Sequence, residues 1–227
     1  MIAKNLNRLN EKIEEICLKT GRIRSDLRLI AISKTQPVEI IKEAIDAGLK
    51  DFGENKAQEL RDKSESITAN FVWHFIGHLQ SNKVKFVIKS AEFIHSVDSI
   101  KLADEINKKA ESVPKIQNVL LEINTSLEAS KFGLRVEKEI FETAQFCSQS
   151  KNLNLVGLMT MAPYTDDKSI IRDCFINLRK LKERLNHSGF AINELSMGMT
   201  NDYDIAIEEG STMLRIGTAI FGERNYK

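Results

Sequence analysis

The sequence is poor in the residues that punctuate or staple a chain. Its 227 residues include 3 prolines, 3 cysteines and 11 glycines, and aromatic side chains make up only 7%. No stretch rich in Gly, Ser or Pro marks a linker, so residues 1–227 are expected to form one domain. Cys17, Cys147 and Cys174 lie far apart, form no CxxC pair and have no His at ligand spacing. That spacing argues against both a zinc site and a disulfide framework, and the odd count fits a reducing compartment. An excess of one charge is also missing. The 33 basic and 32 acidic side chains leave a net charge of +1, which gives no general reason to expect nucleic acid or an anionic membrane as partner. No apolar run approaches the ~20 residues of a membrane span. The N-terminal stretch MIAKNLNRLNEKIEEICLKT is broken by charges every few residues and is no signal peptide. Its Ile2, Leu6, Leu9, Ile13 and Ile16 recur at helical spacing, as in an amphipathic helix. A cytoplasmic protein is expected. GxxxxGK[ST] and GxGxxG are absent too, so a phosphate would not belong to ATP or a dinucleotide bound through those loops.

What is present is alternation. Short apolar runs near 28–33, 50–53, 72–77, 93–97, 117–124, 153–160, 194–198 and 213–217 read as strands. Helical patterns near 37–48, 54–66, 80–90, 99–110, 136–149, 168–186 and 200–209 fill every gap. Strict alternation implies a parallel sheet with right-handed crossovers. Eight units in about 200 residues fit a compact α/β fold, the (β/α)8 barrel of TIM type, here with an extra N-terminal helix. A doubly wound open sheet also alternates, and alternation does not separate the two.

The stretch LRLIAISKTQPVEIIKEAID shows one unit in detail. Leu29, Ile30, Ala31 and Ile32 form a continuous apolar run suited to a strand buried on both faces. Thr35 is expected to cap the next helix, with Pro37 in its first turn, where a missing N–H has no helical partner. Ile40, Ile41, Ala44 and Ile45 then recur at helical spacing until Gly48. Lys34 thus stands at the end of a central strand, where parallel α/β folds keep their chemistry. A lysine can also simply carry its ammonium from a strand end into solvent, and this stretch alone fits both.

The other strand ends carry polar residues and glycines: FGENK, WHFIGHLQSNK, SVD, EINTS, GLMTMAP, LSMGMTND and RIGTAIFG. Barrels commonly build a phosphate site from the loops after strands 7 and 8. There Gly198 and Gly217 admit close backbone approach, Ser196, Thr200 and Thr218 offer hydroxyls, and helix-start amides favour an anion. Tight turns alone would also account for these glycines. A lysine and a phosphate cradle in one barrel suggest an aldehyde cofactor, pyridoxal 5'-phosphate (PLP), whose carbonyl condenses with the amine. Arg215 is the only arginine in these stretches and the candidate partner of the ring nitrogen, which it would hold unprotonated. A salt bridge at the barrel rim fits Arg215 as well. His74 and His78 lie four apart without a third ligand nearby, so no metal is expected and a hydrogen-bonded barrel histidine is the simpler account of His74. Met159, Met161, Met197 and Met199 read as barrel packing.

Five ordered motifs, AISKTQP, DFGENKAQEL, WHFIGHLQSNK, GLMTMAP and LSMGMTNDYDIAIEEGSTMLRIGTAIFGER, together resemble the pyridoxal phosphate homeostasis protein family (YggS/PROSC type). The resemblance covers nearly the whole chain. It implies one barrel similar to the N-terminal domain of alanine racemase, with PLP bound as a lysine Schiff base. By motif position Lys34 resembles the Schiff-base lysine and Arg215 the residue facing the pyridine nitrogen. Ser196, Gly217 and Thr218 resemble the phosphate binders, and Asn55 the residue beside the ring. Thr200 stands where many members carry serine, a change that keeps the hydroxyl.

The resemblance implies intracellular PLP homeostasis and supply and amino-acid balance, without robust catalysis. A physical reason points the same way. Racemization needs acid–base groups on both faces of the cofactor. In alanine racemases the second comes from a tyrosine on a separate β domain, and this sequence ends at Lys227, soon after FGER. Tyr164, Tyr203 and Tyr226 are its only tyrosines. The alternatives are a single-domain PLP-dependent racemase-like enzyme and a cofactor-free barrel enzyme using Lys34 on a sugar phosphate. Expected partners are PLP, amino acids and apo-PLP enzymes, with no nucleic acid and no membrane, and the chain is expected to be a monomer.

Overall fold

The computed structural model describes residues 1–126, 128 and 131–223. Among them, eight parallel strands close into a barrel in chain order, with the first pairing the last, so the open-sheet alternative is excluded. The strands are β1 (Arg28–Ile32), β2 (Asp51–Glu54), β3 (Val72–Phe75), β4 (Ala91–Val97), β5 (Gln117–Glu122), β6 (Leu153–Met159), β7 (Glu194–Ser196) and β8 (Met213–Ile216). Between them run α2 (Val38–Asp46), α3 (Ala57–Ser66), α4 (Val84–Val87), α5 (Ile100–Ala110), α6 (Glu137–Gln149), α7 (Lys168–His187) and α8 (Tyr203–Glu208). The expected N-terminal helix is α1 (Ile2–Thr20), and a last turn, α9 (Thr218–Phe221), follows β8. No helix among the described residues is long and apolar enough to cross a membrane.

Strand periodicity divides the side chains between two environments. In β1, Leu29 and Ala31 join the large apolar layer under the helices, while Ile30 and Ile32 face the barrel interior with Leu120, Met159 and Met213. Leu214 and Ile216 of β8 likewise pack outward. The apolar stripe of α1 (Ile2, Leu6, Leu9, Ile13) is buried in the outer layer, where α1 lies against α8 and α9. The Asn5 side chain ties it down by donating to the Ile220 carbonyl at 3.0 Å.

Local details depart from expectation. Pro37, not Thr35, is the N-cap of α2, and no side chain caps that helix. Thr35 lies two residues too early, and its hydroxyl donates instead to the Lys34 carbonyl at 2.5 Å. The helix expected over 80–90 is a 3-10 turn, Ser81–Lys83, followed by the short α4. The helix expected over 200–209 begins only at Tyr203, since Asp202, its N-cap, has a non-helical φ of −141. Of the four barrel methionines, Met159 and Met197 are buried, but Met199 is 37% exposed.

Between β5 and β6 the register shifts: Val119 pairs with Leu155 and Leu120 with Gly157, so β6 accommodates Val156 as an extra residue. On its other side Gly157 lies against β7. A Cβ there would sit 2.3 Å from the Glu194 carbonyl oxygen, a backbone atom with little freedom to retreat. Gly157→Ala is therefore expected to lose about 1–3 kcal/mol of stability by overpacking the barrel wall. Urea unfolding measures it, and an unchanged midpoint would refute this close approach.

Candidate functional site

Strand register gathers the candidate residues of three neighbouring strands at one end of the barrel. Ile32 pairs with Gly53 and Ala31 with Ile216, so Lys34, Asn55 and Gly217–Thr218 follow adjacent strands at their C-terminal ends. Lys34 is half-buried in the turn after β1, and Asn55, half-buried, comes directly after β2. A Cβ on Gly77 would lie 2.2 Å from the Asn55 carbonyl oxygen, so the end of β3 presses on the Asn55 backbone. Gly217 is the N-cap of α9, and the exposed Thr218 opens that helix. The amides of Thr218 and Ala219 donate to no acceptor among the described residues, as first-turn amides do unless a ligand or water takes them. Thr200 is half-buried in the loop before α8. No group of three His, Cys, Asp or Glu among the described residues could hold a metal ion.

Arg215 and Ser196 lie deeper. Arg215 is 3% exposed and makes no rim salt bridge among the described residues; its guanidinium donates to Ser196 Oγ and to the Thr160 carbonyl, both at 2.8 Å. Ser196 Oγ is 2.9 Å from His95 Nδ1, His95 Nε2 is 2.9 Å from His74 Nδ1, and His74 Nε2 is 3.0 Å from Asp51 Oδ1. Arg28 closes the line on the same Asp51 oxygen at 2.9 Å. His74 lies flat against Phe93, with ring centroids 4.7 Å apart.

The proton positions along this line follow from its ends. Burial works to raise the Asp51 carboxyl, but His74 and Arg28 outweigh it and hold the group below its ordinary value. Burial lowers His74 against the pull of Asp51, and burial lowers His95 further, aided by the charges of Arg215 and Arg28. Both imidazoles are therefore neutral and Asp51 is ionised. An ionised Asp51 accepts from His74 Nε2–H, which leaves His74 Nδ1 to accept from His95 Nε2–H. His95 Nδ1 then accepts the one Ser196 hydroxyl proton, and Ser196 accepts from Arg215. The line has a single sense, from guanidinium to carboxylate. The fully buried Ser196 hydroxyl has thus spent its proton inside the barrel, apart from the rim residues with which the sequence groups it.

Acids surround the guanidinium. Burial lowers Arg215 to about 10 against the charges of Asp202 and Glu122, so it stays cationic at neutral pH. Burial raises Asp202, which accepts the Met199 amide at 2.5 Å. Glu122, at the end of β5, is raised to about 7 by burial and by the charge of Asp98, with Arg215 opposing, and its Oε2 has no partner among the described residues. Asp51, His95 and Glu122 were not found from the sequence. Their one signal is parity, since His74 and His95 fall on the interior-facing positions of neighbouring strands. Of the tyrosines, Tyr164 is 98% exposed, Tyr203 is half-buried, and Tyr226 lies outside the described residues.

Glu122 sets a pH dependence. Its carboxyl titrates near 7 in the folded chain against an ordinary 4.5, so its ionisation is resisted more in the folded state. The stability held by the neutral form is complete below the ordinary value and is lost as pH rises through the folded value, by roughly 3 kcal/mol in all. Glu122→Gln cannot ionise. In protein stripped of any ligand, its melting temperature relative to the unchanged chain should climb between pH ~5 and ~8. A difference that stays flat over that range would show that Glu122 ionises normally.

Comparisons with known proteins place the fold and the family. Residues 5–225 match the family of the alanine racemase N-terminal domain. The chain is 42% identical to the pyridoxal phosphate homeostasis protein of Aquifex aeolicus, over 98% of each chain. Its fold superposes on PipY of Synechococcus elongatus, solved with PLP bound, with a TM-score of 0.85 and 30% identity, covering 98% of this chain and 100% of that one. Clostridium difficile alanine racemase shares the fold alone, with a TM-score of 0.78 and 18% identity over 100% of this chain and 57% of the racemase. With a full-length match to the barrel family and relatives near 40% identity, the chain belongs to the pyridoxal phosphate homeostasis proteins, a branch of the alanine racemase N-terminal domain family.

Proposed function

We propose that this protein binds PLP at the C-terminal end of its barrel as a Schiff base with Lys34. It serves intracellular PLP homeostasis and supply and amino-acid balance, without robust catalysis of its own. The observation that carries this is the fixed, buried guanidinium of Arg215 inside a rim that also presents Lys34, Asn55 and the start of α9. The donor set fits the cofactor: an amine, unpartnered helix-start amides beside a threonine hydroxyl, and one oriented cation. PipY, a relative with the same fold, has been solved with PLP.

PLP supplies an aldehyde and a conjugated ring able to hold electrons. The chain's residues divide the remaining work. Lys34 provides the amine. Gly217, Thr218 and Thr200 hold the phosphate through backbone and hydroxyl donors, and Asn55 lies beside the ring. Arg215 faces the ring nitrogen as a donor that keeps its own proton at neutral pH, which leaves that nitrogen unprotonated and the ring a weak electron sink. Ser196, its proton committed to His95, acts by anchoring Arg215. Proton transfer at a substrate carbon needs groups on both faces and a strong electron sink, and the cation that Arg215 would set against the ring nitrogen weakens that sink, which supports a role in holding PLP rather than in turnover. Amino acids and apo-PLP enzymes are the partners that fit this role, with the chain acting as a cytoplasmic monomer.

Purified protein mixed with PLP should turn yellow, and borohydride should fix the cofactor on the peptide carrying Lys34. Lys34→Ala should lose that attachment. Fixation on Lys56 or Lys83 instead would overturn the assignment. Pyridoxal should bind at least tenfold more weakly than PLP, since two or more hydrogen bonds to a charged group are lost with the phosphate. Equal affinities would remove the phosphate site. Deuterium exchange at Cα should stay at the rate of free PLP, while PLP passes to an added apo-enzyme. Stereospecific exchange at enzymatic rates, abolished by Lys34→Ala, would establish a racemase-like enzyme.

A further inference from the structure

Behind Lys34 lies a buried charged cluster for which the binding site as described has no use. Lys63 occupies the inner face of α3 with Ala57 and Leu60 and is only 7% exposed. Its ammonium donates to the Ser33 carbonyl at 2.8 Å, to Glu54 Oε1 at 2.7 Å and to Glu59 Oε1 at 2.7 Å, which uses all three of its donors. Glu54 Oε1 also accepts the Ser33 hydroxyl at 2.7 Å, and burial raises this carboxyl although Lys63 draws it down. Glu59 Oε1 also accepts the Thr35 amide at 2.6 Å.

The arrangement grips the two peptide groups on either side of Lys34. The one before it is held through the Ser33 carbonyl and the one after it through the Thr35 N–H, both by way of a single ammonium. The second grip answers a specific strain. Thr35 has φ +67, the only positive φ at a non-glycine among the described residues. A β-branched residue is poorly suited to that region, so the conformation persists only where its surroundings enforce it.

From these contacts we infer that Lys63 is a positioning residue for Lys34. Through Ser33 and Glu59 it holds the strained turn that aims the Lys34 amine at the carbonyl of a phosphate-anchored aldehyde. The inference rests on Lys34 being the amine that condenses, a step that joins amine nitrogen to aldehyde carbon and releases water. Lys63 has its three donors committed to Ser33, Glu54 and Glu59. Its removal should therefore weaken covalent capture and leave the anchoring of the phosphate intact.

The test uses the full-length chain with PLP as probe. Lys63→Met should reduce the Lys34 fraction fixed by borohydride at sub-saturating PLP by about tenfold, the scale of one lost hydrogen bond to a charged group. In a Lys34→Ala background the same change should leave the dissociation constant of PLP unaltered. Lys63→Arg should restore part of the capture. Thr35→Gly added to Lys63→Met should restore it as well, since glycine takes a positive φ without strain. Should Lys63→Met fail to fold, Glu59→Ala cuts the same tie to Thr35 from a half-buried position and should show the same split. Lys34 labelling untouched by these changes, or PLP affinity lost equally in the Lys34→Ala background, would overturn the inference alone. Wild-type labelling at another residue, or at none, would overturn the assignment of Lys34 and this inference with it.

Discussion

The positive charge of Arg215 stands where water does not reach, and much of the barrel interior is arranged to permit it. Moving an ion out of water costs several kcal/mol even after relaxation, so a buried guanidinium persists only when its N–H groups and its charge are both answered. Here no carboxylate among the described residues lies within salt-bridge distance. The answer is spread out: two hydrogen bonds, two acids at longer range, and a line of neutral imidazoles leading to an ionised carboxylate on the far side of the core. Each link depends on the last. A neutral imidazole has one donor and one acceptor, so reversing one histidine would set two acceptors or two donors face to face. The line fixes which acceptor Arg215 meets at Ser196 without a carboxylate in its immediate reach.

The architecture was legible in the sequence because it depends on local pattern. Eight apolar runs separated by helical periodicity specify a parallel α/β sheet that fits the barrel without excluding an open sheet, and the positions of Lys34, Asn55, Gly217 and Thr218 at strand ends follow from strand boundaries. What stayed hidden was non-local or contrary to propensity. Asp51 and His95, which link His74 and the expected Ser196, come from different strands and meet them only when the barrel closes. Lys63 carried a faint sign, being a charge on the Ala57–Leu60 face of its helix, where an apolar residue is expected. Thr35 misled for a physical reason. A threonine shortly before a proline and a helix is a good cap on propensity alone, and nothing local reveals that burial of Lys63 and Glu54 holds it at a positive φ instead.

Both supporting clusters meet in β2. This strand has only four residues, yet its first, Asp51, ends the line that orients Arg215, and its last, Glu54, holds Lys63 beneath the Lys34 turn. Between them Phe52 packs outward, and a Cβ on Gly53 would press within 2.7 Å of the Ile32 side chain, so β1 and β2 lie close together. Arg215 and the turn that carries Lys34 are thus both referred to one short segment of backbone rather than to separate loops. A site built on strands holds its geometry better than one built on loops, and binding then costs less ordering. The stiffness lies behind the ligand-facing groups, in the buried clusters, while the rim itself carries half-buried and exposed residues such as Lys34, Thr200 and Thr218. Under the proposed function, a site stiff at its base and open at its mouth would hold a small phosphorylated aldehyde by geometry and still leave a path for its release. Those are the demands that the proposed storage and supply of a cofactor would make.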